Sequence, residues 1–196
     1  RSNGDTFRFL ASVDGTTINI NGSLVATLDR GEFHEQIVSE ESVISASQPI
    51  LVAQYSNSRQ YDGVVSDPFM MLIPPYEQFL AEYTLSTLDS RFPINYINIV
   101  TPAAGVGAIE LDGNPIPASE FMPIGTSGFS GAQLDVAVGS HTLVGTLPFG
   151  AFTYGYGDNA RSYGYPGGMS LSPVAIASSL ALTTESAEAL VSTETC

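Results

Sequence analysis

Along most of the chain, apolar and polar residues alternate with period two, in short runs closed by Gly, Asn, Asp and Pro. Such alternation predicts strands with one face buried, joined by tight turns. Phe7-Arg8-Phe9-Leu10 opens the first strand, and Thr16-Thr17-Ile18-Asn19-Ile20 alternates cleanly. Asp14-Gly15 and Asn21-Gly22 predict hairpin turns, because Gly accepts positive φ and Asp or Asn tolerates it. Ser23–Leu28, Phe33–Val38, Val43–Ala46 and Pro49–Tyr55 follow as further short runs. Their spacing is that of a sandwich or barrel.

The middle of the chain breaks this rhythm. Asp67-Pro68-Phe69-Met70-Met71-Leu72-Ile73-Pro74-Pro75 is apolar and held between prolines, which remove strand donors, so it predicts a buried crossing segment rather than a central strand. Tyr76–Tyr83 reads either as a turn or two of helix or as a strand entry with Phe79, Ala81 and Tyr83 on one face. From Asn95 the early pattern returns: Tyr96–Val100, Gly107–Leu111, then the turn Asp112-Gly113. Thr17–Gly22 aligns with Ala108–Gly113, and Ser47–Val52 with Gly139–Val144, both at a spacing of about 90 residues, which suggests an internal duplication. The expected architecture is therefore all-β: two fused antiparallel, jelly-roll-like β-sandwich halves, residues 1–88 and 89–173, with a tail over 174–196. The seam near Leu85–Pro93 has no Gly/Ser-rich linker, so the halves are expected to pack together.

Composition narrows the function. The 196 residues carry 20 Asp and Glu against 6 Arg and no Lys, a net charge of −14. Nucleic acid is excluded as a partner, since phosphate binding needs clustered basic residues, and anionic membrane surfaces are disfavoured by the same sign. Only 13% of residues are charged, so the surface is built from small polar residues, as in many secreted modules. No apolar run approaches the ~18 residues of a membrane helix. The first residues lack a basic-then-apolar leader, which a secreted chain would have lost already. A single cysteine, Cys196, rules out an internal disulfide and a Cys-based zinc site.

Several strings then carry a resemblance. Gly4-Asp5-Thr6-Phe7-Arg8-Phe9, Pro49–Tyr55, Asp67-Pro68-Phe69-Met70, Ile73-Pro74-Pro75-Tyr76-Glu77-Gln78-Phe79 and Ser162-Tyr163-Gly164-Tyr165-Pro166-Gly167-Gly168 together resemble the N-terminal domain of IgG Fc-binding proteins. Tyr96–Val100, Leu111-Asp112-Gly113 and Gly139-Ser140-His141 fit the same order. The resemblance spans about Gly4 to Pro173. It implies an extracellular β-rich module of the kind found in mucus-type animal proteins and bacterial surface proteins, with adhesive or matrix roles rather than catalysis. The animal members continue into cysteine-rich von Willebrand type D modules, which have no counterpart here, so antibody binding is not carried over. The family supplies no catalytic residues to transfer.

The candidate chemistry is sparse. His34 and His141 are the only histidines, and Gly125-Thr126-Ser127-Gly128 falls short of a nucleophile elbow, so no enzyme is expected. No cofactor is expected either. Asp62, Asp67 and Asp158 are the weak calcium candidates, with solvated loop acids the plainer reading because no spaced acidic loop exists. Residues 154–168 hold four Tyr and five Gly. Tyr154, Tyr156, Tyr163 and Tyr165 would make a recognition surface or, more simply, cover the core. Leu180, Leu182 and Leu190 in the tail would serve strand addition to a neighbouring copy. The expected partners are a protein or glycan on a cell surface or matrix, or other copies of the chain. Asn21-Gly22-Ser23 matches a glycosylation sequon, although a hairpin turn explains the same residues.

Overall fold

The computed structural model describes residues 4–62, 66–157 and 159–171. In chain order the first half forms β1 (Asp5–Ala11), β2 (Thr16–Ile20), β3 (Ser23–Leu28), β4 (Phe33–Val38), β5 (Ile44–Ala46) and β6 (Ile50–Tyr55). A one-turn helix, α1 (Arg59–Asp62), is followed by β7 (Met70–Leu72), and a 3-10 turn over Tyr76–Gln78 leads into β8 (Leu80–Ser86). The second half forms β9 (Ile94–Pro102), β10 (Ile109–Leu111), β11 (Asn114–Pro115), β12 (Met122–Pro123), β13 (Phe129–Asp135), β14 (Ser140–Gly157) and β15 (Arg161–Pro166). The described residues are thus nearly all β, in antiparallel, sandwich-like sheets, as the alternation predicts.

Three sheets result: β4-β1-β6-β7, β3-β2-β5, and an eight-stranded sheet built on β11-β10-β14-β9-β13-β12 with β8 and β15 both paired to β14. Strand β14 serves several neighbours because it bends. Its pairing with β8 slips between Val144 and Phe149, and such a bulge curls a sheet towards a barrel. Residues 140–145 pair β8 and β10, Phe149 still pairs β8 at Leu80, and residues 150–157 pair β9 and β15.

The two halves share a connectivity. The order β4-β1-β6-β7 in the first is matched by β13-β9-β14-β15 in the second, and β3-β2-β5 by β11-β10 and the start of β14. The hairpin turns agree in detail. Asn21-Gly22 has φ of 50° and 78°, and Asp112-Gly113 has 52° and 76°, the left-handed pair that a two-residue hairpin requires. Asn21 N–H donates to Val43 O and its Oδ1 accepts from Val43 N–H, both at 2.9 Å. Asp112 N–H donates to Thr142 O and its Oδ1 accepts from Thr142 N–H, both at 2.8 Å. In each half one side chain at the turn satisfies a backbone donor at the start of the strand that returns alongside.

Each half has its own apolar cluster. In the first, Phe9, Ile18 and Ile20 are buried between the two smaller sheets. In the second, to whose sheet β8 is added, Tyr83 and Leu85 of β8 join Ile97, Ile99, Leu143 and Phe149 at the centre. Each fully covered side chain of this size stabilises the fold by about 1.5–3 kcal/mol. The buried Tyr83 hydroxyl is bonded twice: it donates to Phe149 O at 2.5 Å and accepts from Leu80 N–H at 2.9 Å. Burial pushes that phenol above its ordinary pKa.

The apolar stretch between the prolines differs from expectation. Met70–Leu72 is a short edge strand on β6. Met71 is buried while Met70 and Leu72 are exposed, because a strand bounded by prolines at a sheet edge has only one flank to bond and only one covered face. The segments around it roof the second sheet. The Phe69 ring lies over Gly164, where a Cβ would come within 2.1 Å of it, and the Phe79 ring over Gly150, where a Cβ would come within 2.5 Å. Tyr76 packs against Phe129 with ring centroids 5.5 Å apart.

Candidate functional site

Two surfaces present themselves, one aromatic and one aliphatic. The first is a cleft of about 230 Å³ between the inner face of the β4-β1-β6-β7 sheet and the outward face of the second sheet. Asp5, Phe7, Gln54 and Met71 form one wall; Asn98, Gln133, Tyr154 and Tyr156 form the other, with Glu40 and Glu41 at the rim. Gln54 Nε2 donates to Asp5 Oδ2 at 2.7 Å, and Gln133 Nε2 donates to Tyr154 OH. Phe69 closes the stack, 6.2 Å from Tyr154 and 6.5 Å from Tyr156.

The four tyrosines of the Tyr/Gly segment divide by strand alternation. Tyr154 and Tyr156 point to the cleft side of β14 but are only 9% and 8% exposed, because Phe69 and Tyr96 cover them. Tyr163 and Tyr165 point to the opposite side. Tyr163 OH donates to Asn95 Oδ1 at 2.6 Å and its ring meets Phe92 edge-on. Tyr165 OH donates to Ser86 O, and Ser86 N–H donates back to that hydroxyl at 3.1 Å. These rings pack between strands and bond across them.

The remaining sequence candidates scatter. Asp67 is exposed and its carbonyl accepts from Ser162 Oγ. Asp62 ends α1, some residues before it, and Asp158 lies outside the described residues. Among the described residues, no three of His, Cys, Asp and Glu come together in a way that would hold a metal ion. Leu180, Leu182 and Leu190 lie outside the described residues, as does the whole of the tail from 174. His34 stacks on Phe9 and bonds Gln36 at 3.0 Å. His141 lies against Asp112, with Nδ1 2.8 Å from Asp112 Oδ2 and Nε2 2.9 Å from Ala137 O. Burial opposes its charge, but the bonds to Ala137 and Asp112 prevail and hold its pKa above the ordinary value. Both ring nitrogens thus face oxygen acceptors, Asp112 Oδ2 and Ala137 O.

The second surface was not anticipated. Residues directly opposite in an antiparallel pair share a face, so register defines the outer side of the β4-β1-β6-β7 sheet. Leu10 faces Phe33 and Leu51, Thr6 faces Ile37 and Tyr55, Ala53 faces Leu72, and Tyr55 faces Met70. Leu10, Phe33, Ile37, Leu51, Met70 and Leu72 are all exposed, Phe33 at 56% and Leu51 at 48%. One ion pair sits among them. Arg8 Nε donates to Glu35 Oε2 at 2.6 Å, and the guanidinium carbon lies 5.0 Å from the Phe33 ring centroid and 5.2 Å from that of Tyr55. The signal for this face was present in Ile50-Leu51-Val52 and Met70-Met71-Leu72, where both phases of the alternation are apolar. Such strands are suited to cover on both sides, and among the described residues the large side chains of the outer side stay exposed.

Against models of known families, residues 1–155 match the IgGFc binding protein family, and the chain belongs to it. No curated protein and no solved structure matches the chain.

Proposed function

We propose that this chain is an extracellular protein-binding module, without catalytic or cofactor chemistry of its own, that serves adhesion or the building of a surface assembly. The observation that carries this reading is the bare aliphatic face of the first sheet. Contiguous exposed apolar surface on a soluble domain marks a contact site, and six large side chains across four strands exceed the scattered leucines of an ordinary surface. Family membership supports the location and the kind of partner. Among the described residues no helix is long and apolar enough to cross a membrane. The tail, with Leu180, Leu182 and Leu190, would extend assembly by adding a strand to an open sheet edge of a neighbour.

The test is positional cross-linking on the full chain in its native setting. A photoreactive residue at Leu51 is expected to capture protein, and one at Leu24, exposed on β3, is expected to capture none. Equal capture at the two sites, or none at Leu51, would overturn the reading. Deleting residues 180–196 is expected to abolish tail-borne assembly and leave the fold intact.

A second reading, glycan recognition, rests on the cleft, where Asp5, Glu40 and Glu41 approach Tyr154 and Tyr156. It predicts binding on a glycan array that survives Leu51→Glu, with EDTA sensitivity if calcium takes part. The covered tyrosine rings favour the first reading, since a sugar stacks on an exposed ring face.

A further inference from the structure

We infer that the outer face of the β4-β1-β6-β7 sheet pairs with the same face of a second copy of the chain, across a twofold axis. The inference rests on the protein-binding reading above and names its partner. Charge selects the occupant. The chain is net −14, so two copies repel one another over most approaches. Within the four strands this face carries no charge beyond Arg8 and Glu35, which cancel. A second copy that meets this face brings no unpaired like charge against it, so only the general repulsion between two acidic bodies opposes the contact.

The ion pair gives the contact its complementarity. In a twofold interface a residue i that meets j′ implies that j meets i′. Arg8 and Glu35 are direct cross-strand neighbours, so a second Arg8–Glu35 pair brought over the first sets each guanidinium against a carboxylate of the other copy. Around this four-charge centre, Leu10, Phe33, Leu51 and their neighbours would interdigitate at the ~10 Å separation of packed sheets. The mode is the one the inner face of the same sheet already uses against β2, β3 and β5.

Area sets the strength. Four strands at ~4.8 Å spacing and about six residues in length give a footprint of about 400 Å² per copy. A stable specific interface buries about 800 Å² per partner. The pairing is accordingly reversible and weak between single copies, and gains strength when modules are held in an array.

The test is sedimentation equilibrium of the full chain across the micromolar range, at low and near-physiological salt. A concentration-dependent dimer is expected, tighter at higher salt, because screening relieves the repulsion of the two acidic bodies and leaves the apolar contact intact. Leu51→Glu is expected to weaken it about tenfold or more, the order seen for a charge placed in an interface centre, while Leu24→Glu on β3 leaves it unchanged. Arg8→Glu alone weakens the dimer, and Arg8→Glu with Glu35→Arg restores it. Both leucines are exposed, and a circular dichroism spectrum matching the parent's shows that each variant has folded. A chain monomeric under all conditions overturns the inference. If Leu51 then still cross-links to a different protein, the protein-binding reading stands without self-pairing; if Leu51 cross-links to nothing, both fall.

Discussion

The two four-strand arrays of this molecule share an order and differ in what lies over them. On β13-β9-β14-β15 the face turned away from the core carries Tyr96, Asn98, Gln133, Tyr154 and Tyr156, and the segments flanking β7 pass over it with Phe69, Tyr76 and Phe79. On β4-β1-β6-β7 the outer face carries leucines, methionine, isoleucine and phenylalanine and lies bare. Side-chain hydropathy alone would assign the cover the other way round. What decides is the path of the chain: the described part of the connection between the halves, from Phe69 to Phe79, crosses the second sheet. The roofed face has become part of the fold, and the bare one is left available for a partner.

The largest effects should therefore come from the roofed face. Tyr154→Ala removes a ring packed against Phe69, Tyr96 and Tyr156, and is expected to cost about 3–5 kcal/mol, the range for buried aromatic truncations. Urea unfolding monitored by circular dichroism measures it; a loss below about 1 kcal/mol would mean the face is not integral. Gly164→Ala probes the same seat from the other side. Its Cβ would meet the Phe69 ring at 2.1 Å, so the ring must lift, at about 1–3 kcal/mol for an overpacked contact.

These glycines explain how much of the fold was legible in the sequence. The period-two runs located most strands, and Asn21-Gly22 and Asp112-Gly113 located the β2–β3 and β10–β11 hairpins, because these are local preferences written in adjacent residues; Asp14-Gly15 makes a turn but no hairpin, since β1 and β2 go to different sheets. The family-like strings around Phe69, Phe79 and Gly164 were visible as strings, but their meaning lay in a meeting between residues 95 positions apart, which no local pattern encodes. The bare face was half legible. Ile50-Leu51-Val52 announces two apolar faces, yet whether the second one is covered depends on where the connections run. The tyrosines at 154, 156, 163 and 165 were singled out for their type, and their role as packing came only with the neighbours that cover them.

A smaller effect separates the two matched turns. Asn21 and Asp112 make the same backbone bonds, but Asp112 adds an ion pair to His141 where Asn21 has Ser42, whose Oγ is 3.2 Å from Asn21 Nδ2. The histidine titrates above its ordinary 6.5 in the fold. Its stabilisation is thus full below that pH and is lost as pH rises through the raised value. His141 and the Thr142 N–H hold Asp112 below its ordinary 3.8, so its share is full above that pH and is lost as pH falls through the lowered value. Asp112→Asn is expected to cost about 1 kcal/mol at pH 5 to 6, with the difference from the parent shrinking towards both acid and alkaline pH. Asn21→Ala should cost a similar amount, independent of pH over the same range. A flat profile for Asp112→Asn would show that the ion pair contributes nothing.

The smallest expected effect is the most discriminating. Leu51→Ala on the bare face removes exposed surface, leaves no cavity and breaks no hydrogen bond, so the monomer should unfold within about 0.5 kcal/mol of the parent. Set beside Tyr154→Ala, this gives nearly the whole span of single-residue effects within one sandwich-like fold. A face already covered within the molecule would give a loss of about 2–5 kcal/mol for the same truncation. Dilute urea titration, well below any self-association, isolates the monomer and reads the difference. A near-zero change would fix the aliphatic face as surface that the fold does not need, and whose composition must be accounted for by what it touches outside the chain.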